Sequence, residues 1–295
     1  MSPALIFAAL LAVTAVQAPP QPAGTEPQLT GAAPQPTGIG LAFARLYGCE
    51  FTGALAVLDE EARARPADPL VYSVRGAAYL FTEFERQKIL EIQFFEDDDK
   101  VTDRQRVKPD PAVRARLLAA TAQARKLGGA RLAVDPNDRD ALLAMCMAAG
   151  VEADYNGFIE KRYFKTYSLS KEGQKYARRL LALNPPVYDA YLTLGTAEYV
   201  VSNLNFFFRL FVRFDQIEGS KKKAIENLEL VIKYGHYYKP FAKILLAALH
   251  MREKRPAEAL ALLREVRSEF PGNTVIQREV VRAEERAAAP ATRQR

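Results

Sequence analysis

The sequence is poor in the residues on which metal centres and much of catalysis rely. It has two Cys and two His in 295 residues, and no Trp. Two thiols and two imidazoles exclude most metal sites and leave His-dependent catalysis a narrow base. His236 and His250 have no Cys, Asp or His at ligand spacing. No nucleophile elbow, phosphate-cradling glycine loop or paired catalytic carboxylates stands out. The chain is therefore read as a non-enzyme, with no cofactor and no metal site. Strand periodicity is missing too, since apolar and polar residues do not alternate. The charge imbalance is small, with 41 Lys and Arg against 35 Asp and Glu. Spread over this length it is a weak nucleic-acid signal, and no nucleic-acid partner is expected.

At the N-terminus, residues 1–18 have a short apolar core that ends in small residues, as a signal peptide does. Ala15 is a better cleavage site than Ala18, because Pro19 would follow the latter cut. The rival is an uncleaved anchor, but the run is short for a span. Export to the periplasm or cell envelope is the expectation. Residues 19–38 are rich in Pro, Gly and Gln and read as a disordered linker. Residues 290–295 read as a disordered tail.

From 39 to 289 apolar residues recur at spacings of three and four, the helical period. The text also repeats. Residues 240–271 place Leu246 and Ala247 in a first helix, then Ala259, Leu263 and Val266 in a second, then Pro271 past its end. Tyr191 to Gly195 puts an aromatic three residues before Leu-Gly, and Tyr72 to Tyr79 has Gly76 and Ala78 small and Tyr79 large. Pro66, Pro136 and Pro185 each follow a second helix, where a missing N–H costs nothing. Second helices are expected near 52–64, 111–134, 170–183, 220–234 and 256–269. A last helix is expected over about 274–288, with Thr274 and Gln277 at capping-box spacing.

On these residues the chain resembles the tetratricopeptide-repeat family, in its secreted or periplasmic bacterial form with long inter-helix insertions. Cys146 stands where the repeat usually has Gly, and Gly173 where it has Ala. The resemblance implies an all-α fold, a right-handed solenoid of about five helix pairs with a C-terminal capping helix. It also implies a scaffold or adaptor that binds a protein partner along its inward first helices. Cys49 and Cys146 would then lie two repeats, or ~20 Å, apart, too far for a disulfide.

Three insertions fall between first and second helices, near 84–110, 151–169 and 203–219. Equivalent turns of a stacked array share one edge, so the insertions should be neighbours. They hold ten of the chain's 16 Phe, including Phe84, Phe158 and Phe164, with Tyr155, Tyr163 and Tyr167 beside them. Such a load either forms a satellite core or lines a binding surface. Phe207, Phe208 and Phe211 with Arg209 and Arg213 are the candidate binding residues of the third insertion, and Tyr163 and Phe164 those of the second. The partner is a protein; the alternative is a carrier or membrane-associated protein that takes a lipid or other apolar ligand on these aromatics. The cations interleaved with Tyr and Phe over 155–179 read as a solvated helix face, or as a contact for anionic lipid or an acidic helix. The acidic run 96–99 lacks the Gly and distal Glu of a calcium loop and reads as a solvated loop.

Overall fold

The computed structural model describes residues 36–92, 107–203 and 219–288. The expected signal peptide, most of the linker, the acidic run 96–99 and the C-terminal tail lie outside those residues. The described part is all-α and contains no strand. Its helices are α1 (Gly38–Tyr47), α2 (Phe51–Ala64), α3 (Pro69–Arg86), α4 (Pro111–Val134), α5 (Arg139–Asp154) and α6 (Tyr163–Leu181). There follow α7 (Tyr191–Ser202), α8 (Lys221–Tyr234), α9 (Lys239–Arg252), α10 (Pro256–Glu269) and α11 (Thr274–Ala288).

Local chemistry sets the helix starts. Asp68 and Asp110 each precede a Pro at the first helical position, where proline needs no partner for its nitrogen. The Asp68 carboxylate accepts from the Leu70 N–H at 2.9 Å, and Asp110 from those of Ala112 and Val113 at 2.8 and 3.1 Å. Asp138 caps α5 by accepting from the Ala141 N–H, and Ser220 caps α8 by accepting from that of Lys223. Such caps satisfy backbone donors that the helix itself leaves bare. At α11 the cap is Asn273 and not the Thr274–Gln277 box. Asn273 Oδ1 accepts from the Ile276 N–H at 2.9 Å, while the Gln277 amide donates to the Pro271 carbonyl. The Asn carbonyl sits one residue earlier and takes the free donor first.

Alternate helices have different surroundings. In α3, α5 and α9 more than half of the residues are buried. In α2, α8 and α10 they form one stripe: Ala54 and Leu58, then Ala224, Leu228 and Val231, then Ala259, Leu263 and Val266. These three helices form an outer layer with α4 and α6, and α1, α3, α5, α7 and α9 form the inner one. Each inner helix packs on the outer helix that follows it. Two glycines set the spacing. A Cβ on Gly76 would lie 2.9 Å from the Thr121 methyl of α4, and one on Gly195 would lie 3.1 Å from the Ala224 carbonyl of α8. At the corresponding place in α5 stands Cys146, whose thiol donates to the Gly173 carbonyl of α6 at 3.3 Å. A Cβ on Gly173 would lie 3.6 Å from the Cys146 carbonyl, an ordinary contact, so this pair is less tightly spaced. Cys49 and Cys146 are both free thiols.

The inner layer closes on itself. The Asp189 carboxylate accepts from the N–H groups of His236, Tyr237 and Tyr238 at 2.7–2.8 Å. That fixes the turn before α9 and aims two tyrosines at α1. The Phe43 ring stacks on Tyr237, with centroids 4.8 Å apart, and meets Tyr238 edge-on at 5.8 Å. Tyr47 packs against Phe270 and donates its hydroxyl to the Tyr237 carbonyl at 2.7 Å. Phe81 of α3 meets Phe241 of α9 edge-on. Beyond α3, the Ile92 N–H donates to Glu279 of α11. The start of the described chain therefore shares one core with α9, running from Ile39 to Leu249, while α10 and α11 pack with Ile92 and the end of α9 in a neighbouring core.

Asn273 serves both the cap and the closure, because its Nδ2 donates to the Tyr47 carbonyl at 2.6 Å and the residue is buried. Asn273→Ala should cost ~2–3 kcal/mol in urea unfolding, a lost cap plus an unsatisfied buried acceptor. Gln277→Ala should cost less than ~0.5 kcal/mol. Equal losses in the two variants would restore the Thr274–Gln277 cap.

Candidate functional site

Of the seven candidate binding residues, Phe207, Phe208, Arg209, Phe211 and Arg213 lie outside the described residues, which stop at Asn203 and resume at Gly219. Tyr163 and Phe164 open α6 and part company there. Tyr163 is half-buried, whereas Phe164 is 94% exposed. Adjacent residues of a helix point about 100° apart, so only one of the two can turn inward.

The second insertion does not form a loop. α5 runs to Asp154, a six-residue π-helical turn (Tyr155–Glu160) continues it, and α6 begins seven residues before the expected position. The π turn accommodates one extra residue per turn, and Lys161, at φ 57°, reverses the chain. The inserted residues thus lengthen both helices of the pair.

The necks of the first two insertions share a second core. Phe84 and Phe158 meet edge-on with centroids 5.7 Å apart. Leu80, Ile89, Leu117, Val151 and Tyr155 are buried around them. These aromatics pack on one another as a satellite core.

Polar residues fasten the necks. Glu83, fully buried, accepts from Arg86 at 2.6 and 2.9 Å, from the Gln87 amide at 2.6 Å and from the Asp110 N–H at 3.3 Å. Arg86 also donates to the Lys108 carbonyl. The chain leaves and re-enters at this carboxylate. At the second neck Glu160 pairs with Arg114 of α4 and with Arg162. At the third, buried Glu198 accepts from the Ser220 N–H at 2.8 Å across the excursion. The Tyr155 hydroxyl lies near this polar cluster, and burial, then Glu160 and Glu83, push its pKa up to about 12. Sequence reasoning missed Glu83 and Glu198 as fasteners. The available signal was position: each is a carboxylate in the last turns of a mostly apolar first helix, just before an insertion.

Other chemistry is sparse. Among the described residues no group of three or more His, Cys, Asp and Glu could hold a metal ion. No described helix is long and apolar enough to cross a membrane. His250 is buried on α9, and desolvation, then Arg255, lower its pKa from 6.5. Burial drives the Cys146 thiol to about 11, which makes it a poor nucleophile near neutral pH. Neither a comparison with protein-family models nor one with curated proteins finds a match.

Two measurements check this account. Phe84→Ala should cost ~3–5 kcal/mol, because it leaves a cavity against Phe158. Phe164→Ala should stay within ~0.5 kcal/mol of the parent, as an exposed ring does. For His250, the folded state disfavours the proton that the unfolded state binds. Its stabilising contribution is therefore complete above the ordinary pKa and is lost as pH falls through the folded one. His250→Leu should gain stability relative to the parent between about pH 7.5 and about pH 5, read from paired unfolding curves. A constant difference across that range would show that His250 does not titrate differently on folding.

Proposed function

We propose that this chain is a non-catalytic scaffold of the cell envelope, a right-handed tetratricopeptide-type solenoid that holds a protein partner. The observation that carries the reading is the recurring stripe of small and large residues. Ala54 and Leu58, Ala224, Leu228 and Val231, and Ala259, Leu263 and Val266 anchor three of the five outer helices on inner ones. Stacks of this kind expose a long, regular surface, and presenting it is their common use. The non-enzymatic part of the proposal rests on the sequence, with its two His and its lack of a nucleophile motif. Export rests on the apolar core of residues 1–18.

The partner is assigned to the outer layer or to the insertion edge. A groove along the inner helices is not where it would sit, because Phe43, Tyr47, Phe81, Tyr237 and Phe241 already fill that side. The alternative, a carrier or membrane-associated protein, is favoured by one observation: Phe164 stands fully in solvent beside cations.

The test uses photo-crosslinking residues in living cells, placed at the outward positions Ala56, Glu229 and Ala261. At least one should yield a discrete protein adduct, and fractionation should place the chain in the envelope with its N-terminus processed. No adduct from any of the three, or a full-length cytoplasmic chain that retains Met1, would end the scaffold reading.

A further inference from the structure

The positive charge of this protein is concentrated. α4 carries five Lys and Arg and no acidic residue. α6 carries five against the single Glu172. Ten cations and one carboxylate on two helices exceed the net charge of the whole chain, which is +6. The remainder of the protein is therefore negative.

Both helices pack against α5, and Arg125 of α4 links them by pairing with Glu152 of α5 and Glu172 of α6. The one carboxylate of the pair is thus turned to an internal partner. Glu160 is held by Arg114 and Arg162, and Asp138 by Arg131. What faces outward is Arg116 and Lys126 on α4, and Lys165, Lys171 and Lys175 on α6, all exposed. Between the α4 cations the outward residues are small: Ala115, Ala119 and Ala122. Phe164 opens the α6 stripe, 94% exposed, between the 61%-exposed side chain of Arg162 and Lys165. Phe164, Ser168, Lys171 and Lys175 share one side of the helix over about 16 Å.

We propose that the outer face of α4 and α6 docks on an anionic bilayer surface, with Phe164 entering the headgroup layer. Small side chains along α4 let the helix lie flat, and long cations reach phosphates from both helices. An apolar ring flanked by cations at one end is the arrangement of an interfacial anchor. Attraction of each cation to anionic lipid is additive over a Debye length, so clustering on one face gives a membrane affinity that the total charge does not suggest. The inference does not depend on the scaffold reading, since a protein partner can occupy α2, α8 or α10 at the same time.

The experiment sediments the full chain with vesicles of phosphatidylcholine alone, and with vesicles half phosphatidylglycerol. Binding should be at least about fivefold stronger on the anionic vesicles and should collapse near 1 M salt, where the screening length is ~3 Å. The combined reversal Lys126→Glu, Lys165→Glu and Lys175→Glu should lower partitioning at least about tenfold. Phe164→Ser should lower it about threefold without altering the salt dependence. All four residues are exposed, so circular dichroism should show unchanged melting. If the reversals disturb the fold, the three corresponding Lys→Gln changes carry the same test. Equal binding to neutral vesicles, or undiminished binding by the charge variants, would assign attachment to another segment and overturn the proposal. Displacement from the vesicles by an acidic peptide or single-stranded DNA at equal charge would make the face a general polyanion site and overturn it likewise.

Discussion

The fold depends on one closure. Asp189, at the start of the fourth helix pair, binds three successive backbone N–H groups in the turn before α9. Held there, Tyr237 and Tyr238 meet Phe43, and Tyr47 reaches Phe270 and Asn273. α1 has ten residues, too short to be helical alone in water. Its five buried residues give it a place only because the far end of the chain is already in position to cover them. A carboxylate satisfied by backbone is thus the pin for contacts between residues 190 and more positions apart.

Closure decides where function can reside. The inner helices bury at least half of their residues, which leaves them less surface to offer than the outer ones. The outer helices bury one stripe each, and the rest of their surface is free to differ from helix to helix. It does differ: α4 and α6 carry ten cations against one carboxylate, while the rest of the chain is net negative. A fold whose interior is fully used keeps its specificity on the outside, where substitutions have little effect on stability.

Much of this was legible in the sequence. The bounds of α4 and α10 were readable from Pro after their ends and from the Ala–Leu–Val spacing, and α11 from its apolar face after Pro271. α6 was not, because its first seven residues carry the aromatics and cations of the insertion, which look irregular until a π turn and a left-handed Lys161 fold them into helix. The cap at Asn273 was misplaced by one residue, since two acceptable capping residues stand together. The closure was invisible. Periodicity says that Phe43 and Tyr47 lie on an apolar face but not that Tyr237 covers it. Nor could pattern separate Tyr163 from Phe164: both are aromatic, adjacent and flanked by cations, and only the direction of α6 distinguishes them.

The fastened necks have a further meaning. At the first, one buried carboxylate joins residues 27 positions apart, and at the third another joins residues 22 apart. Each clasp holds the two ends of its segment together within the helical frame. Loop closure costs only about 0.6 kcal/mol for each doubling of length. Because each clasp fixes both ends of its segment, a change in the length between them costs the frame little, and the clasps are the joints at which this architecture can accept new material.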